Sequence, residues 1–341
     1  MKKKVIIIAE AGVNHNGDIN LAKKLIEEAA HAGADYVKFQ TFKAKNLVSK
    51  TARKAEYQIK STNNGDASQF QMLKNLEMPL EWHFELKDYA ENLRINFLST
   101  GFDEESIDFL NKLGVDLFKV PSGEITNKPY LKEVAKKGKP IILSTGMSTI
   151  DEVTDAVDVL VVDGISKKMI TILHCNTEYP TPMKDVNLMA MLNMKSQLGV
   201  EVGYSDHTLG IEVAIAAVAL GASVIEKHFT LDKNMVGPDH PASLEPKELK
   251  MMIESIRNIE QAISGSGVKE VSDSEKPNIA IVRKSLHFKK NFKEGYIIRK
   301  SDFIALRPGS GISPMHIDSY VGKILNQDVE AFSIIQDSHF I

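Results

Sequence analysis

Cysteine is nearly missing from this sequence, with one residue, Cys175, among 341. A single thiol excludes an internal disulfide and fits a reducing compartment. A charge excess is missing too. The formal net charge is −3, so the chain as a whole carries no electrostatic footprint for nucleic acid. No apolar run is long enough to cross a bilayer, since the longest, VAIAAVALGASVI, is about two-thirds of a span. The opening MKKKVIIIAE has basic residues and a short apolar run, but Glu10 interrupts it too early for a signal peptide. These absences predict a cytoplasmic protein with neither nucleic acid nor membrane as partner. What is present, 43% hydrophobic and 26% charged residues, is ordinary globular composition, and the length allows about two domains.

The chain repeats one grammar. A β-rich apolar run ends in polar residues, and a stretch with helical spacing follows. The runs begin with VIIIAEAG, YVKFQT, NFLSTG and LFKVPSGE, and continue with PIILSTG, MITILHCNTEYP, VEVGYSDH and SVIEKHFT. Near-continuous apolar strands alternating with helices indicate a parallel sheet. Eight such units over roughly 260 residues predict a (β/α)₈ barrel, with an open doubly wound sheet as the alternative. Residues 1–265 are read as this catalytic barrel and 266–282 as a linker. Residues 283–341, punctuated by EG, PG and SG, are read as a small β-rich domain. The irregular stretch 47–70 is long enough to be functional or disordered.

Barrel enzymes gather catalytic groups at the carboxyl ends of their strands. Read that way, His207 and His228 end adjacent strands, where two imidazoles suit a divalent transition ion, with Glu10 near enough to join them. The alternative is two histidines bonded to neighbouring strands. Lys38 and Lys119 lie inside apolar runs, and a buried lysine needs a partner or a task. With Ser99, Thr100, Ser122, Ser144 and Ser205 nearby, the simplest shared partner is an anion such as phosphate. Two alternatives stay open: pairing with Glu10, Glu124 or Glu226, and a Schiff base as in aldolases. Cys175 reads as a buried thiol.

Together the words AEAGVNHNG, VKFQTFKA, KVPSGEITNKPYL, IILSTGM, HCNTEYPTP, GYSDHT, IEKHFTLDKNMVGPDH and RPGSGISP resemble the sialic acid synthases, a family that includes legionaminate and pseudaminate synthases. The resemblance implies a barrel followed by an antifreeze-like (SAF) domain. It also implies condensation of phosphoenolpyruvate with an open-chain N-acetylated amino sugar, with water added, the C–O bond cleaved and phosphate released. N-acetylmannosamine is the acceptor read first, giving N-acetylneuraminate. The alternative is 2,4-diacetamido-2,4,6-trideoxymannose, giving legionaminate. From a different class, a Schiff-base aldolase or lyase is the competing reading.

Carried onto matching positions, the resemblance assigns a divalent metal, Mn²⁺ ahead of Mg²⁺ or Co²⁺, to His207 and His228. It assigns phosphoenolpyruvate to Lys38, Thr100, Lys119, Ser122, Ser144, Thr177 and Ser205. Gln40, Asn64, Tyr179, Asp239 and Arg307 would meet the sugar, and Glu10, Glu124, Glu226 and Asp206 would serve catalysis. Arg307 would act across a domain-swapped homodimer. One departure from the family's pattern is Gly101, where relatives commonly carry proline, and looser local packing is expected there.

Overall fold

A computed structural model of the chain describes residues 4–56, 58–59 and 68–341. Two compact units divide it, Met1–Gly265 and Ser266–Ile341.

The first unit is the expected barrel. Its eight strands are β1 (Ile6–Gly12), β2 (Tyr36–Thr41), β3 (Asn96–Gly101), β4 (Phe118–Val120), β5 (Ile141–Ser144), β6 (Ile170–His174), β7 (Glu201–Asp206) and β8 (Val224–His228). They form one sheet in the order β3-β2-β1-β8-β7-β6-β5-β4. Every ladder along that order is parallel, and β3 packs beside β4 to close the ring. The principal helix after each strand is, in order, α1 (Ile19–Ala32), α2 (Leu80–Asn92), α3 (Glu104–Leu113), α4 (Lys128–Ala135), α5 (Ile150–Val162), α6 (Met189–Leu198), α7 (Glu212–Ala219) and α8 (Pro246–Ala262). The open-sheet alternative is thereby set aside.

Local chemistry explains the helix ends. In α1 the Asp18 side chain accepts from the Asn20 amide, and Gly33 closes the helix in the left-handed region, as capping rules require. Its buried residues Ala22, Leu25, Ile26 and Ala29 recur at three- and four-residue steps and form the stripe laid against the sheet. A Thr149–Glu152 capping box starts α5.

Strand alternation divides the core in two. Outward residues such as Ile7, Ala9, Val37, Phe39, Phe97, Phe118, Leu143, Ile172 and Ile225 join the layer beneath the helices. Inward residues Ile8, Tyr36, Leu98, Leu117, Ile142, Leu173 and Val224 form a separate cluster that fills the lumen. Gly203 completes that layer on β7, because a Cβ there would lie 2.3 Å from the Val224 carbonyl oxygen and 2.7 Å from Leu173.

Gly101 is closely packed, contrary to expectation. A Cβ there would come within 2.9 Å of Ile107, and the buried Tyr130 hydroxyl donates to the Gly101 carbonyl at 2.6 Å. The side chains of α3 fill the space. Of the long stretch after β2, the described ends are tied together by an Arg53–Ser68 bridge.

The second unit contains a two-stranded antiparallel ladder, β9 (Ser285–Phe288) with β10 (Phe303–Leu306). Its own core gathers Leu286, Phe288, Phe292, Ile298, Tyr320, Leu325, Ile335 and Phe340. The segment read as linker includes a helix, α9 (Lys276–Val282), with no buried residue.

Candidate active site

The period-two rule that builds the apolar plug also builds the site above it. Two residues beyond each plug residue, the same strands present Glu10, Lys38, Thr100, Lys119, Ser144, Cys175 and Glu226, and β7 adds Ser205 two beyond Gly203. All of these are buried. The layer is therefore an enclosed set of charges on a hydrocarbon floor.

Its members are mutually paired. Lys38 Nζ lies 2.6 Å from Glu10 Oε2 and 3.7 Å from Glu226 Oε2, and it donates to Thr100 Oγ1 at 2.8 Å. Lys119 Nζ is 3.6 Å from Glu226 Oε1, which also accepts from Ser205 at 2.9 Å. Glu226 Oε2 is buried without a hydrogen bond of good geometry. Burial pushes the Glu10 carboxyl up to about 7, with Lys38 pulling it down and Glu226 pushing it further up. Burial acts the same way on Glu226, but Lys119 and Lys38 outweigh it and hold that group down at about 2. Lys38 is raised, because Glu10 and Glu226 overcome its burial, whereas burial prevails at Lys119 and lowers it. Two carboxylates on two lysines make a neutral set. Protonating Glu10 leaves one positive charge in excess, which favours an anion.

The next step up the strands carries His207 and His228. Their rings lie 5.5 Å apart, and Tyr179 stacks on His207 at 4.1 Å while standing edge-on to His228. Nδ1 of His207 meets the Asn176 carbonyl oxygen and must carry the proton. Its Nε2 therefore offers a lone pair, beside the Tyr179 hydroxyl at 3.2 Å and the Ser205 hydroxyl at 3.4 Å. Burial lowers His207 to about 4 and His228 well below its ordinary value, so both rings are neutral near pH 7. Nδ1 of His228 is buried without a hydrogen-bond partner, with Asp239 Oδ2 3.9 Å away. Burial, partly offset by Lys38, raises Asp239 to about 6. Gly12, at φ +52°, lets the chain bend under this group, and a Cβ there would lie 3.3 Å from Glu10 Oε1 and 3.5 Å from the His228 ring. Gln40 Nε2 approaches Glu10 Oε1 at 3.5 Å.

Two neutral imidazoles and an orphaned ring nitrogen fit a divalent ion. Among the described residues no group of three or more His, Cys, Asp or Glu side chains is arranged as a metal cage. Any ion here would keep most of its positions open, as a catalytic site requires.

A third cluster flanks the charges. Ser122 Oγ accepts from the Gly146 amide at 2.9 Å and lies 3.3 Å from Cys175 Sγ. A Cβ on Gly146 would sit 2.5 Å from the Thr177 methyl, so glycine leaves the room that Ser122, Cys175 and Thr177 share.

Four further residues were expected to take part. Asp206 is one residue out of phase with Ser205 and His207. Its carboxylate faces away from the lumen and bonds Thr208 and Lys227. Glu124 is bonded to Asn127 at 2.6 Å in the turn after β4; its carboxyl is raised by burial. Arg307 belongs to the second unit, exposed, with Nε donating to the Val282 carbonyl at 2.9 Å. Asn64 lies outside the described residues. Sequence reasoning missed three participants. Cys175 could have been found by stepping two from Leu173, but Gly146 acts by its amide and Asn176 by its carbonyl, and neither leaves a side-chain signal.

The chain matches the NeuB family model over residues 25–269 and the SAF domain model over residues 283–341. It is 56% identical over 335 residues to an N,N′-diacetyllegionaminic acid synthase of Campylobacter jejuni, covering 98% of this chain and 100% of that protein. A protein of the same name from Legionella pneumophila is 50% identical, covering 98% of this chain and 94% of its own. Among solved structures, an N-acetylneuraminic acid synthetase from Leptospira borgpetersenii superposes with a TM-score of 0.71 at 34% identity, over 81% of this chain and 90% of that one.

Proposed function

The chain belongs to the NeuB family and is an enzyme of the sialic acid synthase type, and from that premise we propose that it joins phosphoenolpyruvate to 2,4-diacetamido-2,4,6-trideoxymannose to make N,N′-diacetyllegionaminate. The acceptor read first from the sequence, N-acetylmannosamine, gives way to the diacetamido sugar. The observation that carries this choice is the full-length 56% identity to a protein named as a legionaminic acid synthase.

The chemistry follows from the charged layer. Carbon 3 of phosphoenolpyruvate bonds to the aldehyde carbon of the open-chain sugar, and the aldehyde oxygen takes a proton. Water adds at carbon 2, the bond from carbon 2 to the bridging oxygen breaks, and phosphate leaves with that oxygen. Loss of the added hydroxyl's proton gives the 2-keto acid. Lys38 and Lys119 receive the phosphate and carboxylate as point charges, with Thr100, Ser144, Ser205 and the Ser122–Gly146–Thr177 cluster around them.

An arriving anion competes with Glu10 for Lys38. Losing that partner drives the Glu10 carboxyl further up, so a group already poised at about 7 becomes a proton carrier for the water or the aldehyde oxygen. Glu226, held ionised, keeps both lysines charged and oriented. His207 and His228 would hold a divalent ion, Mn²⁺ by preference, which when bound supplies Lewis acidity toward the aldehyde oxygen. Gln40, Tyr179 and Asp239 line the sugar end, and Glu124 orients groups near it. Asn64 and a partner's Arg307 complete the sugar site in a domain-swapped homodimer working in the cytoplasm.

Phosphate release with Mn²⁺ and phosphoenolpyruvate, measured in parallel on the two sugars, tests the choice. The diacetamido sugar is expected to show at least tenfold higher kcat/KM, the scale on which one differing substituent is discriminated. Preference for N-acetylmannosamine would overturn it. Arg307→Ala should raise KM for the sugar about 10- to 100-fold, the cost of one charged hydrogen bond, and leave KM for phosphoenolpyruvate unchanged.

A further inference from the structure

The residues that precede the two imidazoles form a fully buried ion pair on the far side of the strands. Lys227 Nζ donates to Asp206 Oδ2 at 2.9 Å, and neither side chain is exposed to solvent. The two are direct register partners on β7 and β8, one step below His207 and His228. Lys227 also donates to the Thr208 carbonyl. The other oxygen of Asp206 accepts from the Thr208 amide at 2.9 Å and its hydroxyl at 2.7 Å. The residues on either side of His207 are thus both tied to the residue before His228.

Stability is a poor reason for such a pair. Taking two charges wholly out of water costs as much as their attraction returns, and apolar replacements of similar volume are often neutral or better. The outer faces of these strands are otherwise apolar, with Val202, Tyr204 and Ile225 in the core beneath the helices. Hydrocarbon at 206 and 227 would continue that layer. What hydrocarbon could not supply is direction. Two bonds from Lys227 hold β8 to β7 at a set register where each strand delivers an imidazole, and two between Thr208 and Asp206 turn the chain immediately after His207.

We infer that Asp206 and Lys227 are positioning residues that set the separation and aim of the His207 and His228 rings for a divalent ion. The inference rests on the reading that these two histidines hold that ion. Partners bonded directly to metal-ligating groups are worth about 10- to 100-fold in metal affinity when removed, and a pair that holds the strands rather than the rings belongs at the lower end.

The test is Mn²⁺ binding alone, read on the full-length protein by loss of the free-ion electron paramagnetic resonance signal. Melting temperature is measured on the same samples. The double variant Asp206→Leu/Lys227→Met should fold, with a melting temperature lowered only by the Thr208 groups it leaves unpaired, and bind Mn²⁺ about tenfold more weakly. Thr208→Val, which removes a single bond to Asp206, should weaken binding a few-fold. Native-like Mn²⁺ affinity in both variants would overturn the inference. So would a double variant that fails to fold, since that assigns the pair to stability. Native protein that binds no Mn²⁺, or His207→Ala that binds it undiminished, would sink the metal reading itself, and with a different signature.

Discussion

Two layers of the barrel lumen sit one pleat apart on the same strands and are equally hidden from water. One is Ile8, Tyr36, Leu98, Leu117, Ile142, Leu173 and Val224. The other begins two residues later with Glu10, Lys38, Thr100, Lys119, Ser144, Cys175 and Glu226. Burial is common to both, so burial does not distinguish structure from chemistry. The difference is whether buried groups satisfy each other completely. The lower layer is hydrocarbon but for the Tyr36 hydroxyl, which donates to Asp116. The upper one leaves Glu226 Oε2 and, one step higher, His228 Nδ1 without good hydrogen bonds, and it spreads two identical carboxyl groups from about 2 to about 7. Unsettled polar groups over a dry floor are what a charged substrate can complete.

Exchanging one residue in each layer separates the two roles most sharply. Glu10→Gln should cost about 10²- to 10⁴-fold in turnover, the usual worth of a proton carrier, with little change in melting temperature. Leu98→Ala should do the reverse, costing about 2–5 kcal/mol of stability and lowering the melting temperature by roughly 2–4 °C per kcal/mol, with turnover of the folded fraction little changed. Steady-state kinetics beside calorimetry reads both. If the two variants lose the same property, the layers do not divide as described.

A finer test uses pH. Glu10 is raised from 4.5 to about 7 on folding, so the folded state binds its proton more tightly. Its contribution to stability is complete below 4.5 and is lost as pH rises through 7. Glu226 is lowered from 4.5 to about 2, so its contribution is present above 4.5 and is lost as pH falls toward 2. Denaturant titrations across pH should show Glu10→Gln flattening the slope between 4.5 and 7, and Glu226→Gln flattening the acid limb instead. The smallest effect belongs to Cys175. Its thiol is a weak donor beside Ser122, so Cys175→Ala should change kcat/KM for phosphoenolpyruvate by less than about tenfold. A larger loss would make the thiol part of the anion site.

Much of this was legible beforehand, for physical reasons. Eight apolar runs followed by helical spacing dictate a closed parallel barrel, and a lysine inside VKFQ or FKVPS announces a buried charge with a task. Phase was harder to read. In YSDHT and IEKHF consecutive residues point to opposite faces, and only the plug positions Gly203 and Val224 fix which face is the lumen. The resemblance drew Asp206 into the catalytic set, although it faces the helices with Lys227. Gly101 misled because its neighbours Ile107 and Tyr130 come from other elements. The Asn176 carbonyl that sets the His207 tautomer is backbone, which any residue type would supply.

In the proposed reaction the charged layer runs a condensation in which phosphoenolpyruvate breaks its carbon–oxygen bond. Phosphoenolpyruvate labelled with ¹⁸O at the bridging oxygen tests it directly, by ³¹P resonance of the released phosphate and mass analysis of the sugar acid. The label is expected to leave entirely in phosphate, and the sugar acid to carry oxygen from water at carbon 2. Label retained in the keto acid, or a sugar acid formed from pyruvate with no phosphate released, would contradict it.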